Sequence, residues 1–261
     1  MDKPRILVYT VSRADTPEQV ARAVASLNRG KEWAGIEHEW ILWSNAPGIN
    51  ATSMEGFVRW GDGENVGQHV PLGKIIDYAR CDDKKSCERL MMIGHGDYCT
   101  PRFDFIVRVD DDVEWMSKNW LKRLVEIELR LHEASKNVID GGVWPVLGPR
   151  VKGLNHQIPI AEKVKIDGIP IFVVPILGGL CRLHHVSFFE GYKADCRRAM
   201  GSGDATSVTD HSVDIKVPLL QAYWVRVAHK TAKMESEDPG YFKNHGLYQS
   251  IPYIPVWRAN A

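Results

Sequence analysis

Three consecutive aspartates, Asp110, Asp111 and Asp112, follow an apolar segment at 103–109 and are the clearest chemical feature of this 261-residue chain. Adjacent carboxylates repel one another and lose hydration on burial, so a fold that keeps three together needs solvent or a cation to offset their charge. Mg²⁺ and Mn²⁺ prefer carboxylate oxygens and often share their coordination with substrate phosphates. We therefore expect a divalent-metal site here, and the alternative is a solvated acidic turn that caps a helix. If the strand continues through the triplet, Asp110 and Asp112 point to the same side and are its metal ligands.

Two further aspartates and a histidine lie in or beside elements predicted in the second half of the chain. Asp210 follows Thr209 at the start of a helix predicted at 210–221, where both residues can cap the helix. Asp214 lies one helical turn later on the same face, so the two carboxylates could be coupled. His229 follows a strand predicted at 222–228 and is either a metal ligand or a hydrogen-bonding residue.

Four soft metal ligands lie within one short segment of the chain. They are Cys81, Cys87, His95 and Cys99. Such a set could hold a tetrahedral structural Zn²⁺, although its spacing lacks the paired Cys-x-x-Cys halves of a standard zinc finger. The alternative is three free thiols and a surface histidine. The total of five cysteines is odd, which fits a reducing compartment better than a disulfide framework.

The elements that must position these residues alternate between strands and helices. Strands are predicted at 5–11, 39–44, 56–60, 103–109, 138–147, 169–177 and 222–228. Helices are predicted from Pro17 to about Gly30 with Thr16 as the cap, at 70–80, and from a Ser117 cap to 135. This alternation indicates an α/β, Rossmann-like fold with a mostly parallel sheet and helices on both faces. Because ligands of such sheets bind at the carboxyl ends of the strands, Ser12, Ser44 and the aspartates should share one edge.

Several short segments then match a known pattern in the same order along residues 5–230. They are Ser12-Arg13, Asn65-Val66-Gly67, Asp110-Asp111-Asp112, Gly178-Gly179-Leu180-Cys181-Arg182, Phe188-Phe189-Glu190-Gly191-Tyr192, Thr209-Asp210 and His229. In this order they resemble the inverting glycosyltransferases of the GT-A fold, family 2. Two positions depart from that family. Ser44-Asn45 replaces the aspartates that usually end its second strand, and Thr209 replaces an acid in its Glu-Asp motif.

The resemblance implies a single GT-A domain over 1–261, with a nucleotide-sugar and metal half at 1–115, an acceptor half at 116–230 and a C-terminal extension at 231–261. It implies a nucleotide-sugar donor, which we expect to be a UDP-sugar, and Mn²⁺ or Mg²⁺ as cofactor. Its metal ligands would be Asp110, Asp112 and His229, and its base Asp210 or the rival Asp214. The implied donor contacts are Ser12, Arg13, Asn45, Asn65, Asp110 and Asp111. The alternatives are a sugar-phosphate nucleotidyltransferase and a non-catalytic nucleotide-sugar-binding protein.

Charge and hydropathy limit the partners. The chain has 33 basic and 33 acidic side chains, so bulk charge does not hold it to nucleic acid. Residues 141–200, however, carry 8 Lys or Arg against 4 Asp or Glu. This segment is either a solvated face or a surface for an anionic acceptor, such as DNA or a phosphorylated lipid. The sequence contains no run of about 18 apolar residues, so no transmembrane anchor is expected. The first residues lack the apolar core of a signal peptide, and we therefore expect a cytoplasmic protein.

Three aromatic residues near the predicted site have two interpretations each. Trp115 follows the aspartates and could stack on a sugar or base, or pack in the core. His184 and His185 could orient a phosphate or simply pack.

Overall fold

Ten strands form one sheet in the computed structural model, which describes residues 3–67, 69–80, 101–137, 140–152, 162–166, 168–174, 180–189 and 219–229. The strands are β1 (Ile6–Ser12), β2 (Glu39–Ser44), β3 (Val58–Trp60), β4 (Phe105–Val109), β5 (Val113–Trp115), β6 (Val146–Lys152), β7 (Glu162–Ile166), β8 (Ile169–Val173), β9 (Cys181–His185) and β10 (Leu219–His229). The helices are α1 (Pro17–Glu32), α2 (Pro47–Ala51), α3 (His69–Arg80) and α4 (Trp120–Ser135), with a short 3-10 helix at Val186–Phe189.

The strands are ordered β3-β2-β1-β4-β9-β6-β10-β8-β7, and β5 pairs with β10. The first four neighbours, β3, β2, β1 and β4, are parallel because helices return the chain between them. Beyond β4 the neighbours are antiparallel except for β6 with β10. The α/β class is confirmed, but the parallel arrangement holds only for one half of the sheet. Strands β7 and β8 lie close together in the sequence and pair antiparallel, with Gly168 at φ +78° just before β8.

Helices cover both faces of the sheet, as the sequence predicts. On one face, α1 and α4 bury Leu27, Trp120 and Leu124 in a large apolar core. On the other face, α3 buries Ile75 and Ala79 in a second core. Among the described residues, no helix is both long and apolar enough to cross a membrane.

Helix α1 begins as predicted but ends later. Thr16 accepts from the Gln19 amide, and the Gln19 side chain accepts from the Thr16 amide, which is a complete capping box. The predicted end at Gly30 is wrong, because the helix continues to Glu32. Gly30 instead allows α1 to pack closely against the Trp115 ring, because a Cβ at this position would lie 2.7 Å from that ring.

Gly30→Ala is therefore expected to destabilise the protein by about 1–3 kcal/mol through overpacking. The Trp115 ring cannot withdraw easily, because it stacks on Trp120 at a centroid separation of 4.3 Å. The loss exceeds the gain of about 1 kcal/mol that alanine brings to a helix interior. Urea unfolding followed by circular dichroism measures the change. Gly73→Ala in α3 is the control, because its Cβ meets nothing within 4 Å and should be neutral or stabilising. Equal effects of the two substitutions would contradict the packing argument.

Other predicted boundaries are wrong for reasons of tertiary contact. Asn119, at φ 56°, precedes α4, whereas the predicted cap Ser117 accepts a hydrogen bond from the Arg226 amide at 2.9 Å. The strand predicted at 138–147 begins only at Val146. The loop before it is held to α4, because the Val143 amide donates to the Ser135 hydroxyl at 2.6 Å. The helix predicted at 210–221 lies outside the described residues as far as 218, and its last three residues belong to β10.

Candidate functional site

The candidate site lies at the carboxyl edge of the parallel strands. Ser12 ends β1 and pairs in register with Ser44 at the end of β2. The three aspartates follow β4, which runs parallel to β1 on its other side. The structure thus brings the ends of three strands together at the edge where ligands of parallel sheets bind.

The aspartates form a turn, which we call the acidic turn (110–112). Strand β4 ends at Val109 and β5 begins at Val113, so the expectation that Asp110 and Asp112 alternate with Asp111 along a strand is wrong. The Ser12 hydroxyl donates to Oδ2 of Asp111. The Asp110 amide donates to the Leu180 carbonyl at 2.9 Å. Contacts from β1 and from the start of β9 therefore fix the turn.

Arg108 is a neighbour of the acidic turn that was not among the predicted site residues. Its guanidinium donates to Oδ1 of Asp110, from Nε at 3.3 Å and from Nη2 at 3.2 Å. Arg108 belongs to the buried strand β4, and its side chain is only 12% exposed. The signal in the sequence is an arginine two residues before the triplet, inside an otherwise apolar run.

Crowding and burial oppose full ionisation of the acidic turn. Burial raises the pKa of Asp110, Arg108 acts against this shift, and the charge of Asp112 adds to it. Burial also raises the pKa of Asp111 to about 6, opposed by the Ser12 hydrogen bond and reinforced by Asp112 and Asp110. A divalent cation would offset this repulsion, and oxygen ligands suit Mg²⁺ or Mn²⁺. The residues therefore fit the predicted metal, although no three Asp, Glu, His or Cys side chains already converge on one point within the described ranges.

The predicted third ligand, His229, ends the strand that borders the acidic turn. Strand β10 pairs antiparallel with β5, and His229 is opposite Val113, the residue after Asp112. The strand register thus places the His229 backbone beside the acidic turn, although the two are far apart in the sequence. Its side chain lies outside the described part of the structure.

The predicted donor contacts divide into exposed and buried residues. Arg13 and Asn65 are exposed at the edge. Asn45 is only 3% exposed, and its side chain bonds within the protein. It donates to the Gly67 carbonyl at 2.7 Å and accepts from the Trp43 indole at 3.0 Å. Asn45 therefore ties the end of β2 to the 65–67 loop.

Helix α2 begins at Pro47, directly after the end of β2. Arg59 of β3 holds it by donating to the Ile49 carbonyl at 2.8 Å and to the carbonyls of Asn50 and Thr52. The Ile49 amide in turn donates to the Ala14 carbonyl at 2.9 Å, so α2 supports the loop after β1. Arg59 is thus a structural support of the site that the sequence did not indicate.

Arg59→Met is expected to lower the free energy of unfolding by about 2 kcal/mol, because three partly buried carbonyls lose a charged donor. Urea denaturation provides the measurement. Arg22→Met is the matched control, because Arg22 lies on the exposed side of α1 and its substitution should change stability by less than about 0.5 kcal/mol. A loss no larger than that of the control would show that Arg59 does not hold α2.

The three ambiguous aromatic residues pack inside the protein. Trp115 is 6% exposed, stacks on Trp120 and donates to the Ser26 carbonyl at 2.9 Å. His184 is 3% exposed and packs on Phe188 at 4.7 Å. His185 stacks on Trp144 at 4.0 Å, near the opposite edge of the sheet, where it pairs with Phe105. The packing interpretation therefore accounts for all three.

Two sets of predicted residues lie outside the described residues. They are the candidate bases Asp210 and Asp214, and the zinc set Cys81, Cys87, His95 and Cys99. The residues that flank the zinc segment are held together, because the amides of Arg102 and Phe103 donate to the Ala79 carbonyl at 2.9 and 3.1 Å. Both the base and the zinc site stay predictions.

Comparison with known proteins does not assign the chain to a family. No model of a known protein family matches the chain, and no curated protein is significantly similar to it in sequence.

Proposed function

We propose that this chain is a metal-dependent inverting glycosyltransferase with a single GT-A-like domain, which transfers a sugar from a nucleotide-diphosphate donor, in our expectation a UDP-sugar. The observation that supports it most is the contact between Ser12 and Asp111, which joins the first strand to the acidic turn at the carboxyl edge of the sheet. In the β5–β10 register the His229 backbone is opposite Val113, the residue that follows the acidic turn. The resemblance to GT-A glycosyltransferases implies that these carboxylates and the loop after β1 lie side by side in the donor site.

The proposed reaction is a single in-line displacement. The bond between the anomeric carbon and the diphosphate oxygen breaks, and its electron pair leaves with the nucleoside diphosphate. The acceptor oxygen bonds to the opposite face of that carbon, and its proton passes to Asp210 or to the rival Asp214. Asp110, Asp112 and His229 would hold a divalent cation, which when bound supplies charge neutralisation for the leaving diphosphate. Ser12 orients Asp111, and Arg13 and Asn65 are exposed where they can contact the donor.

A thermal-shift screen tests the donor site. UDP-, GDP-, CMP- and dTDP-linked sugars are added to the protein with and without Mn²⁺. A ligand at about 100 times its Kd stabilises the native state by about 2.7 kcal/mol, so one nucleotide class should raise Tm in a metal-dependent way. No shift with any donor, in the presence or absence of Mn²⁺, would contradict the proposal.

A further inference from the structure

A cluster of cationic side chains lies on one face of the antiparallel half of the sheet. It consists of Arg150 on β6, Arg226 on β10, and Lys163 and Lys165 on β7; we call it the basic face. Arg226 is opposite Arg150 in the β6–β10 register, so both point to the same side. The Arg150 guanidinium lies 5.3 Å and the Lys163 ammonium 5.8 Å from the centre of the Phe172 ring, which places both on one face.

The other side of the same strands belongs to the apolar core. Ile171, Val173 and Leu220 are buried there in the core that includes α4. Strand β7 alternates accordingly, with Lys163 and Lys165 exposed and Ile166 buried. Phe172 is 4% exposed beneath the two cations and belongs to neither core. The described side chains of β6, β7 and β10 therefore present positive charge on this side.

Among the described side chains of the basic face, positive charges outnumber negative ones. Glu114 of β5 is opposite Ala228, so it shares the side of Arg226. It is the one acid among the described side chains on this face of β5, β6, β7, β8 and β10. Four cations against one carboxylate give a positive potential that attracts a polyanion.

Strand β10 connects the basic face to the neighbourhood of the acidic turn. Strand β10 carries Arg226 and ends at His229, opposite Val113. At about 3.3 Å per residue, Arg226 lies roughly 10 Å from that end. A polyanion that spans the face would therefore extend to the edge of the candidate site.

We propose that the basic face binds the phosphate backbone of a polynucleotide, which is the acceptor class of the reaction; the acceptor role rests on the proposed function, whereas the binding itself does not. Among the large apolar side chains that are exposed in the described structure, Val58 and Val66 lie away from the basic face, whereas Met116 lies beside Arg226, because its amide donates to the Arg226 carbonyl at 3.2 Å. A membrane-binding surface would use several apolar side chains for insertion, so one methionine among four cations favours a polynucleotide over an anionic lipid surface.

Fluorescence anisotropy with a labelled single-stranded DNA of about 20 nucleotides tests the binding, at about 50 and 200 mM NaCl. The quadruple variant Arg150→Gln, Lys163→Gln, Lys165→Gln, Arg226→Gln is expected to bind at least about tenfold more weakly, and to lose about 0.7 from the salt slope for each phosphate contact removed. Because Arg150 and Lys163 cover Phe172, the double variant Lys165→Gln, Arg226→Gln provides a second test that leaves that packing intact. The control is Arg22→Gln, Lys122→Gln, on exposed faces of α1 and α4, and it should keep its affinity within about twofold.

Each outcome either supports or overturns the proposal. Equal losses in the control and basic-face variants, or no binding by the unmodified protein, would overturn it. Binding to vesicles of phosphatidylcholine and phosphatidylglycerol without binding to the oligonucleotide would also overturn it, in favour of a lipid surface. The donor thermal shift is measured on the same variants and should not change. A protein that binds the oligonucleotide but no donor would refute only the glycosyltransferase proposal, whereas the reverse result would refute only the polynucleotide surface.

Discussion

Asp112→Asn is expected to lower kcat/KM for sugar transfer on the order of 100-fold or more while the protein stays folded. The substitution keeps the shape of the side chain and removes one negative charge from the acidic turn. The β5–β10 register places Asp112 next to the residue opposite His229, so it is the aspartate closest in register to the predicted third metal ligand. Loss of its charge should weaken both cation binding and stabilisation of the leaving diphosphate.

Three measurements distinguish this result from a simple folding defect. Circular dichroism should be unchanged, the Mn²⁺-dependent donor shift should be lost, and transfer of a radiolabelled sugar should fall. Asp62→Asn is the matched control, because the exposed Asp62 accepts from the Glu64 amide at 3.1 Å and an asparagine oxygen can do the same. Asp210→Asn offers a contrast, since loss of the base should abolish transfer but keep the donor shift. Wild-type transfer and metal dependence in Asp112→Asn would refute the metal assignment.

Glu128→Leu is expected to raise the free energy of unfolding by about 2 kcal/mol, because it removes a buried polar group that has no hydrogen-bond partner. Glu128 lies on α4, has no solvent exposure, and neither of its carboxylate oxygens has a partner in the described structure. Leucine has a similar size and would bury apolar surface in the same place. The exposed Glu126 of the same helix is the control, and Glu126→Leu should change stability by less than about 0.5 kcal/mol.

The effect of Glu128 should also depend on pH. Burial raises the pKa of Glu128 well above its usual range, so the folded protein holds this proton more tightly than the unfolded chain. Its favourable contribution is complete below the unfolded pKa of about 4.3 and is lost as pH rises towards the folded value. The stability of the wild type relative to Glu128→Gln should therefore fall as the pH rises above about 4. Urea unfolding at several pH values measures this difference, and a constant difference would refute a buried proton on Glu128.

Local signals in the sequence determined much of the first half of the fold. The apolar runs of β1, β2 and β4 predicted buried strands, and Thr16 with Gln19 predicted the start of α1. These features depend on residues within one or two turns of each other, so they can be predicted from the sequence alone. The position of the aspartates directly after a strand could be predicted for the same reason.

Tertiary structure alone decided what surrounds those residues. The sequence did not show that Arg108 would bond to Asp110, that Asn45 would face inward to the 65–67 loop, or that β10 would pair with both β5 and β6. Strand register between distant segments is fixed by which faces bury apolar surface in the whole sheet, and a shift of one residue reverses every side chain. The sequence therefore determined which residues could do the chemistry, whereas long-range register decided which of them meet, because pairing energies depend on partners that no local pattern specifies.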